Sequence, residues 1–201
     1  IADGTRNQSL LLARHQMGAK VTTRLVPSLS TRAYIHAEST YEGGSTLPAA
    51  PVNLYQDGQY TGEKRLQSLA PGASLTLAFG VDDRVTVETV REKNRRGDEG
   101  LISTSRVIER VTRHDVTNHH ERPVSVRVFE RLPVADDESI QVEHHDISEP
   151  YSEDPDERRG VILWDRRIPA GGTQSLRYGF TVRVPGDQRL PRPFQNPAPR
   201  R

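Results

Sequence analysis

Cysteine is absent from the chain, which excludes disulfides, thiol catalysis, iron–sulfur clusters and cysteine-based zinc sites. Aromatic side chains make up only 5% of it, with Trp164 the single tryptophan. A stacking platform for sugars or bases would have to be built from very few residues. No apolar run approaches the roughly 20 residues that span a bilayer, so no membrane insertion is expected. Lysine is scarce as well: Lys20, Lys64 and Lys93 are the only ones, and every other basic residue counted is arginine. That bias reads as genomic base composition. The 28 basic and 27 acidic residues nearly cancel and are intermixed, whereas a nucleic-acid binder gathers excess positive charge on one face. Nucleic acid is therefore not expected as a partner. The chain opens at Ile1 with no signal-peptide pattern. It reads as a piece of a longer protein, with any targeting signal upstream or removed.

What the chain does have is alternation. Leu176, Tyr178, Phe180, Val182 and Val184 alternate with mostly polar neighbours in LRYGFTVRV. Val124, Val126 and Val128 do so in VSVRV, as do Leu75, Leu77 and Phe79 in LTLAF. A period of two is the signature of a half-buried strand. Further strands are predicted over 9–14, 20–26, 32–38, 52–55, 85–90, 106–116, 139–145 and 160–165. One polar side per strand implies antiparallel sheets with a solvated face, and no long window keeps a helical stripe. Glycine and proline cluster between the apolar runs. The expected fold is all-β and antiparallel with two sandwich-like halves, the second immunoglobulin- or fibronectin type III-like. Residues 1–95 are read as a sheet region of a larger domain whose N-terminal part is missing, 101–186 as a β-sandwich, and 187–201 as a Pro-rich tail unable to pair regularly. The polar stretch EKNRRGDEG, 92–100, reads as a linker or a long hairpin loop. A weak echo relates LAPGASLTLAF (69–79) to IPAGGTQSLRYGF (168–180): a Pro and Gly turn, then an alternating strand.

In VNLYQDGQYTGE, Asp57-Gly58 between alternating segments predicts a type I′ hairpin turn, because that turn needs positive φ at both central residues. Tyr55 and Tyr60 would then face each other across the strands.

Candidate chemistry is sparse. His114, His119 and His120 lie in HDVTNHH, and His144 and His145 in VEHHD. With Asp115 and Asp146 they could form a metal site if the two segments pair. No known ligand spacing is present, however, and adjacent histidines on a strand point to opposite faces. The acidic stretch 134–157 lacks the spacing of a compact calcium loop. There is no GxSxG, SxxK or GxxxxGK[ST]. Asp82–Asp83 and Asp136–Asp137 are sequence neighbours in turn-like contexts, and Arg96-Gly97-Asp98 reads as a chance tripeptide in a charged stretch. Trp164, in the apolar run GVILWD, reads as a buried strand residue. No catalytic residue, metal ligand or cofactor is assigned from these patterns.

The ordered set RLVPSLSTRAYIHAE, PVNLYQDGQYTGE, LAPGASLTLAFGVDDRV, GLISTSR, RPVSVRVFERLPVADDESIQV, RRGVILWD and IPAGG resembles the mucoidy inhibitor A-like family. More narrowly, it is similar to the C-terminal domain of unknown function in those bacterial proteins. The likeness runs from about residue 2 to about 185 and is most specific over 52–85 and 123–169. It implies a missing N-terminal region and coiled coil, and it favours a periplasmic or cell-envelope location. It carries over no catalytic residue. The expectation is a non-enzymatic interaction module that offers sheet edges and loops to a protein partner or to its own N-terminal region. The alternative is a polysaccharide-binding module, prompted by the family's association with exopolysaccharide, with Tyr41, Tyr55, Tyr60, Tyr151 and Trp164 as candidate contacts. A third reading is a metal-dependent hydrolase whose site forms only in space, from residues such as His114, His119, His144 and Asp146.

Overall fold

A computed structural model describes residues 14–99 and 105–187. The strands are β1 (Ala19–Val26), β2 (Ser30–Thr40), β3 (Ala50–Gln56), β4 (Gln59–Leu66), β5 (Ser74–Val81), β6 (Val85–Glu99), β7 (Ser105–Asn118), β8 (Val124–Arg131), β9 (Gln141–His145), β10 (Ser152–Glu153), β11 (Val161–Ile168) and β12 (Thr173–Pro185). One 3-10 turn, Pro155–Glu157, interrupts them, and no α-helix occurs among the described residues. The all-β expectation holds. Each alternating segment quoted above falls in a strand, with 139–145 and 160–165 entering theirs at Gln141 and Val161, except 9–14, which lies outside the described residues apart from Arg14, which is not in a strand. The Pro-rich tail from 188 onward also lies outside them.

Two readings need correction. The stretch 92–99 is neither linker nor loop: β6 continues through it and pairs with β7 as far as Glu99 opposite Ser105. Arg96-Gly97-Asp98 therefore lies within the strand, near its end, rather than in a loop. The sheets are also not wholly antiparallel, because β1 runs parallel to β8, with Thr23, Arg24 and Leu25 opposite Val126, Arg127 and Val128. The strand orders are β10-β11-β8-β1-β2-β5, β6-β7-β12-β9 and the two-stranded β3-β4.

The chain forms two compact units. The first takes in the described residues up to Val21 together with His36–Phe79, and the second takes in Thr22–Ile35 and the residues from Gly80 onward. Tyr41, Leu54 and Leu69 are the buried apolar residues of the first unit. The Tyr41 hydroxyl donates to the Ser45 carbonyl at 2.9 Å, and Leu47 and Leu69 bridge through both backbone groups. The β3–β4 hairpin turns at Asp57 (φ 50°) and Gly58 (φ 81°), as the Asp-Gly signal requires. Tyr55 pairs with Tyr60, while Leu54 pairs with Gly62, so Thr61 is the extra residue of a bulge.

Gly58→Val should destabilise the protein by about 1–3 kcal/mol through left-handed backbone strain, since nothing crowds its vacant β-carbon position. Asp57→Asn should be nearly neutral, because asparagine tolerates the same conformation. Thermal melts of the two variants check both, and parental melting of Gly58→Val would contradict the turn assignment.

The echo between the two halves is real in local geometry. Ala73 N–H closes a turn on Ala70 O, and Gly172 N–H closes one on Pro169 O, both at 3.0 Å. The third residues, Gly72 (φ 83°) and Gly171 (φ 66°), supply the positive φ of a type II turn. β5 and β12 then follow.

The second unit is a sandwich. Val124, Val126 and Val128 of β8 and Ile162 and Trp164 of β11 share one core with Ile108 and Val116 of β7 and Leu176, Phe180 and Val182 of β12. Each such side chain, fully buried, contributes roughly 1.5–3 kcal/mol. The alternation that marks these strands in the sequence is the alternation of this buried face with an outer one. On that outer face, charges tie the four-stranded sheet together. Glu92, at the β6 bulge, accepts from Arg113 at 2.8 Å and from Arg177 at 2.7 Å, and Arg177 also reaches Asp146 at 3.1 Å.

Candidate functional site

The inward phase of β7 carries Ile108, Thr112, His114, Val116 and Asn118, and that of β8 continues from three valines to Glu130. Alternation thus delivers a histidine and a carboxylate into the core from opposite sheets. His114 Nε2 lies 3.1 Å from Glu130 Oε2, with both side chains almost fully buried. With the ring proton on Nε2, that nitrogen donates to the carboxylate, and Nδ1 accepts from the Thr89 hydroxyl at 2.8 Å. Thr89 stands opposite His114 on β6. The other carboxylate oxygen accepts from Arg131 N–H at 2.9 Å.

Hydroxyl, imidazole and carboxylate follow the order of a nucleophile relay. Yet Thr89 lines neither of the two concavities described below, and acyl transfer needs a substrate-sized site beside the nucleophile with oxyanion donors facing it. The arrangement acts as a staple across β6, β7 and β8, satisfying polar groups whose burial would otherwise be costly.

Glu130 also lines a cleft of about 700 Å³ within the second unit. Leu132, Val142, Phe180 and Val182 supply apolar wall, and the Arg110 guanidinium and Tyr178 phenol join Glu130 as polar groups. The Tyr178 pKa is pushed up to about 12, first by burial and then by the charge of Glu130. A phenol raised in the fold stabilises it below its unfolded value of 10.0, and that contribution is lost as pH rises toward about 12. Spectrophotometric titration should show Tyr178 ionising toward that upper range, and Tyr178→Phe should remove this component. A shallower, polar depression of about 560 Å³ on the outer face of the four-stranded sheet is lined by residues that include Thr86, Arg113, Asp115 and Ser175. Its groups largely satisfy one another, as Asp115 accepts from both Arg113 and Ser175.

The histidines and acids picked out in the sequence are dispersed. His114 is in the core. His119 contacts Thr86 at 3.0 Å, and His120 holds Asp82 at 2.8 Å. His144 and His145 do point to opposite sides. His144 Nε2 meets Pro133 O at 2.8 Å, whereas His145 binds Asp146 at 2.8 Å and Thr181 at 3.2 Å. The His145 hydrogen bond, followed by the Arg177 charge, lowers the Asp146 carboxyl below the ordinary carboxylate range. Among the described residues no group of three histidines or carboxylates is placed to hold a metal ion. Asp136 pairs with Arg159 at 3.0 Å, and Asp137 accepts from Ser139 N–H and Oγ. Asp82 and Asp83 do lie at a turn, which Val85 N–H closes on Asp82 O at 3.2 Å, with Asp83 exposed and Asp82 buried. Asp82 accepts from Thr23 at 2.8 Å and Arg84 N–H at 3.2 Å, in addition to its contact with His120.

Of the aromatics, Trp164 is 0% and Tyr41 1% exposed. The Trp164 Nε1–H donates to Ser148 O at 2.8 Å, and the Tyr151 hydroxyl donates to Glu153 at 3.1 Å. Tyr55 and Tyr60 differ. They meet edge to face across the hairpin, with centroids 5.7 Å apart, yet remain 57% and 59% exposed. The sequence showed that these two would face each other but not that both would stay in water, which depends on the hairpin forming a two-stranded sheet of its own.

Fold and sites together define an all-β domain of several mainly antiparallel sheets, with a buried cross-sheet polar staple, one mainly apolar cleft and an exposed aromatic hairpin. The chain belongs to the family described as Domain of unknown function (DUF4139), which matches residues 6–186. No curated protein and no solved structure matches it.

Proposed function

We propose that the domain is a non-enzymatic recognition module of a larger bacterial protein of the mucoidy inhibitor A-like kind, placed in the cell envelope, and that it contacts a protein partner through the β3–β4 hairpin. The observation carrying this reading is the Tyr55–Tyr60 pair. Two large, rotamer-poor aromatics set edge to face, each more than half exposed, are of the kind that dominate binding energy at protein interfaces. The longest sheet edge is a poorer candidate. β6 is studded with Arg91, Glu92, Lys93, Arg95 and Arg96 and carries a bulge after Arg91, and both features deter strand addition.

The test uses the parent chain and a Tyr55→Ser, Tyr60→Ser double variant as paired baits in an envelope fraction. A cross-strand aromatic pair is worth only about 0.2–1 kcal/mol, so the two baits should melt nearly alike. The reading predicts a defined protein retained by the parent and lost from the variant. Identical retention by both baits would contradict it. A second reading, polysaccharide binding, draws on the same exposed pair, because tyrosine faces also pack on sugars. Glycan-array binding that disappears in the double variant, with no protein retained, would establish that reading instead.

A further inference from the structure

We propose that the cleft of the second unit binds a small amphiphilic carboxylate, its apolar tail lying against Val134, Ile140 and Val142 and its acid group pairing with Arg110. Unpaired charge in the cleft carries this inference. Three carboxylates line the cleft, and each already accepts from a donor: Glu130 from His114 and Arg131 N–H, Asp136 from Arg159, and Asp137 from Ser139. Arg110 has no such counterpart among the described residues. Its Nε is buried with no hydrogen-bond partner, and its guanidinium lies 5.6 Å over the Phe180 ring. Burial, and then the charge of Arg91, lowers its pKa, with Tyr178 acting in the opposite sense and Arg96 adding a smaller push downward.

A half-buried guanidinium whose Nε–H meets no acceptor is a site of unmet attraction. Its fork of N–H donors matches a carboxylate in both spacing and charge. The walls decide the rest of the ligand. A bare inorganic anion would leave the partly exposed Val134, Ile140 and Val142 against water, and a neutral apolar molecule would leave Arg110 uncompensated. A volume of about 700 Å³ falls within the roughly 300–1,000 Å³ of small-molecule sites, which combine apolar walls with a few fixed polar groups. The inference is independent of the hairpin surface, which contributes nothing to this cleft.

Calorimetric titration of the chain with decanoate and with decan-1-ol, both below their aggregation limits, tests it. A charge-assisted bidentate contact predicts that decanoate binds about tenfold or more tighter than the alcohol. Arg110→Gln should erase that preference while leaving the weaker alcohol binding in place. Equal binding of the two probes, binding of neither, or a preference that survives Arg110→Gln would overturn the proposal. The comparison on the parent chain decides the matter even if the variant does not fold. Amide shifts confined to positions such as Val142 and Val182 on adding decanoate would support the cleft as the location, and shifts elsewhere only would overturn it.

Discussion

His114→Leu should destabilise the protein by about 3–5 kcal/mol, whereas His114→Leu combined with Glu130→Met should lose far less. The two variants differ in what they leave behind. In the single variant the Glu130 carboxylate stays buried with Arg131 N–H as its remaining donor, and a buried charge without its partner is among the costliest defects in a fold. In the double variant both polar groups are gone, and side chains of similar volume fill the space between β7 and β8. Replacing both members of a buried pair by apolar groups is often neutral or better. Denaturant melts of parent, single and double variants form the cycle. Equal losses in the single and double variants would show that the pair is not coupled.

Trp164→Ala should cost about 3–5 kcal/mol, the range for removing a large core aromatic. The indole is fully buried on β11, and its ring centroid lies 6.2 Å from that of Tyr178. Truncation removes this packing, opens a cavity and strands Ser148 O, which accepts from the indole N–H. Trp164→Phe should cost much less, because most of the volume is kept and only the hydrogen bond is lost. Circular dichroism is the suitable probe, as the sole tryptophan is the residue replaced. A variant melting like the parent would reopen a surface role for Trp164.

Much of this fold is legible in the sequence, for definable reasons. The alternation in LRYGFTVRV and VSVRV survives because β12 and β8 each bury one face, and the Asp-Gly turn survives because its backbone demands those residues locally. The second half of β6 escaped because its character comes from its neighbour. Glu92 and Lys93 look like loop residues until Arg113 and Glu109 on β7 stand beside them, and strand propensity is largely such context. The parallel β1–β8 pair escaped for a related reason, since local alternation says nothing about which strand lies alongside.

The candidate sites were legible only in part. Glu130 falls in the inward phase set by Val124, Val126 and Val128, so a carboxylate at that position was a readable sign of a buried partner. The identity of that partner, His114, required the sandwich. Arg110 sits in the same phase as His114 on β7, but its lack of an acceptor is a property of the assembled cleft. Asp82 offered no local sign of burial, because Thr23 and His120 come from distant segments.

The central claim is that the Tyr55–Tyr60 hairpin is the contact surface of a recognition module, and photocrosslinking in the native envelope tests it most directly. A photoreactive phenylalanine analogue replaces Tyr55 or Tyr60 in turn, with Gln56 and Gln59, the next cross-strand pair of the same hairpin, as controls. The account predicts one discrete adduct to a defined protein from positions 55 and 60, and much weaker adducts from 56 and 59. Adducts of equal strength at all four positions, or none at 55 and 60, would contradict it.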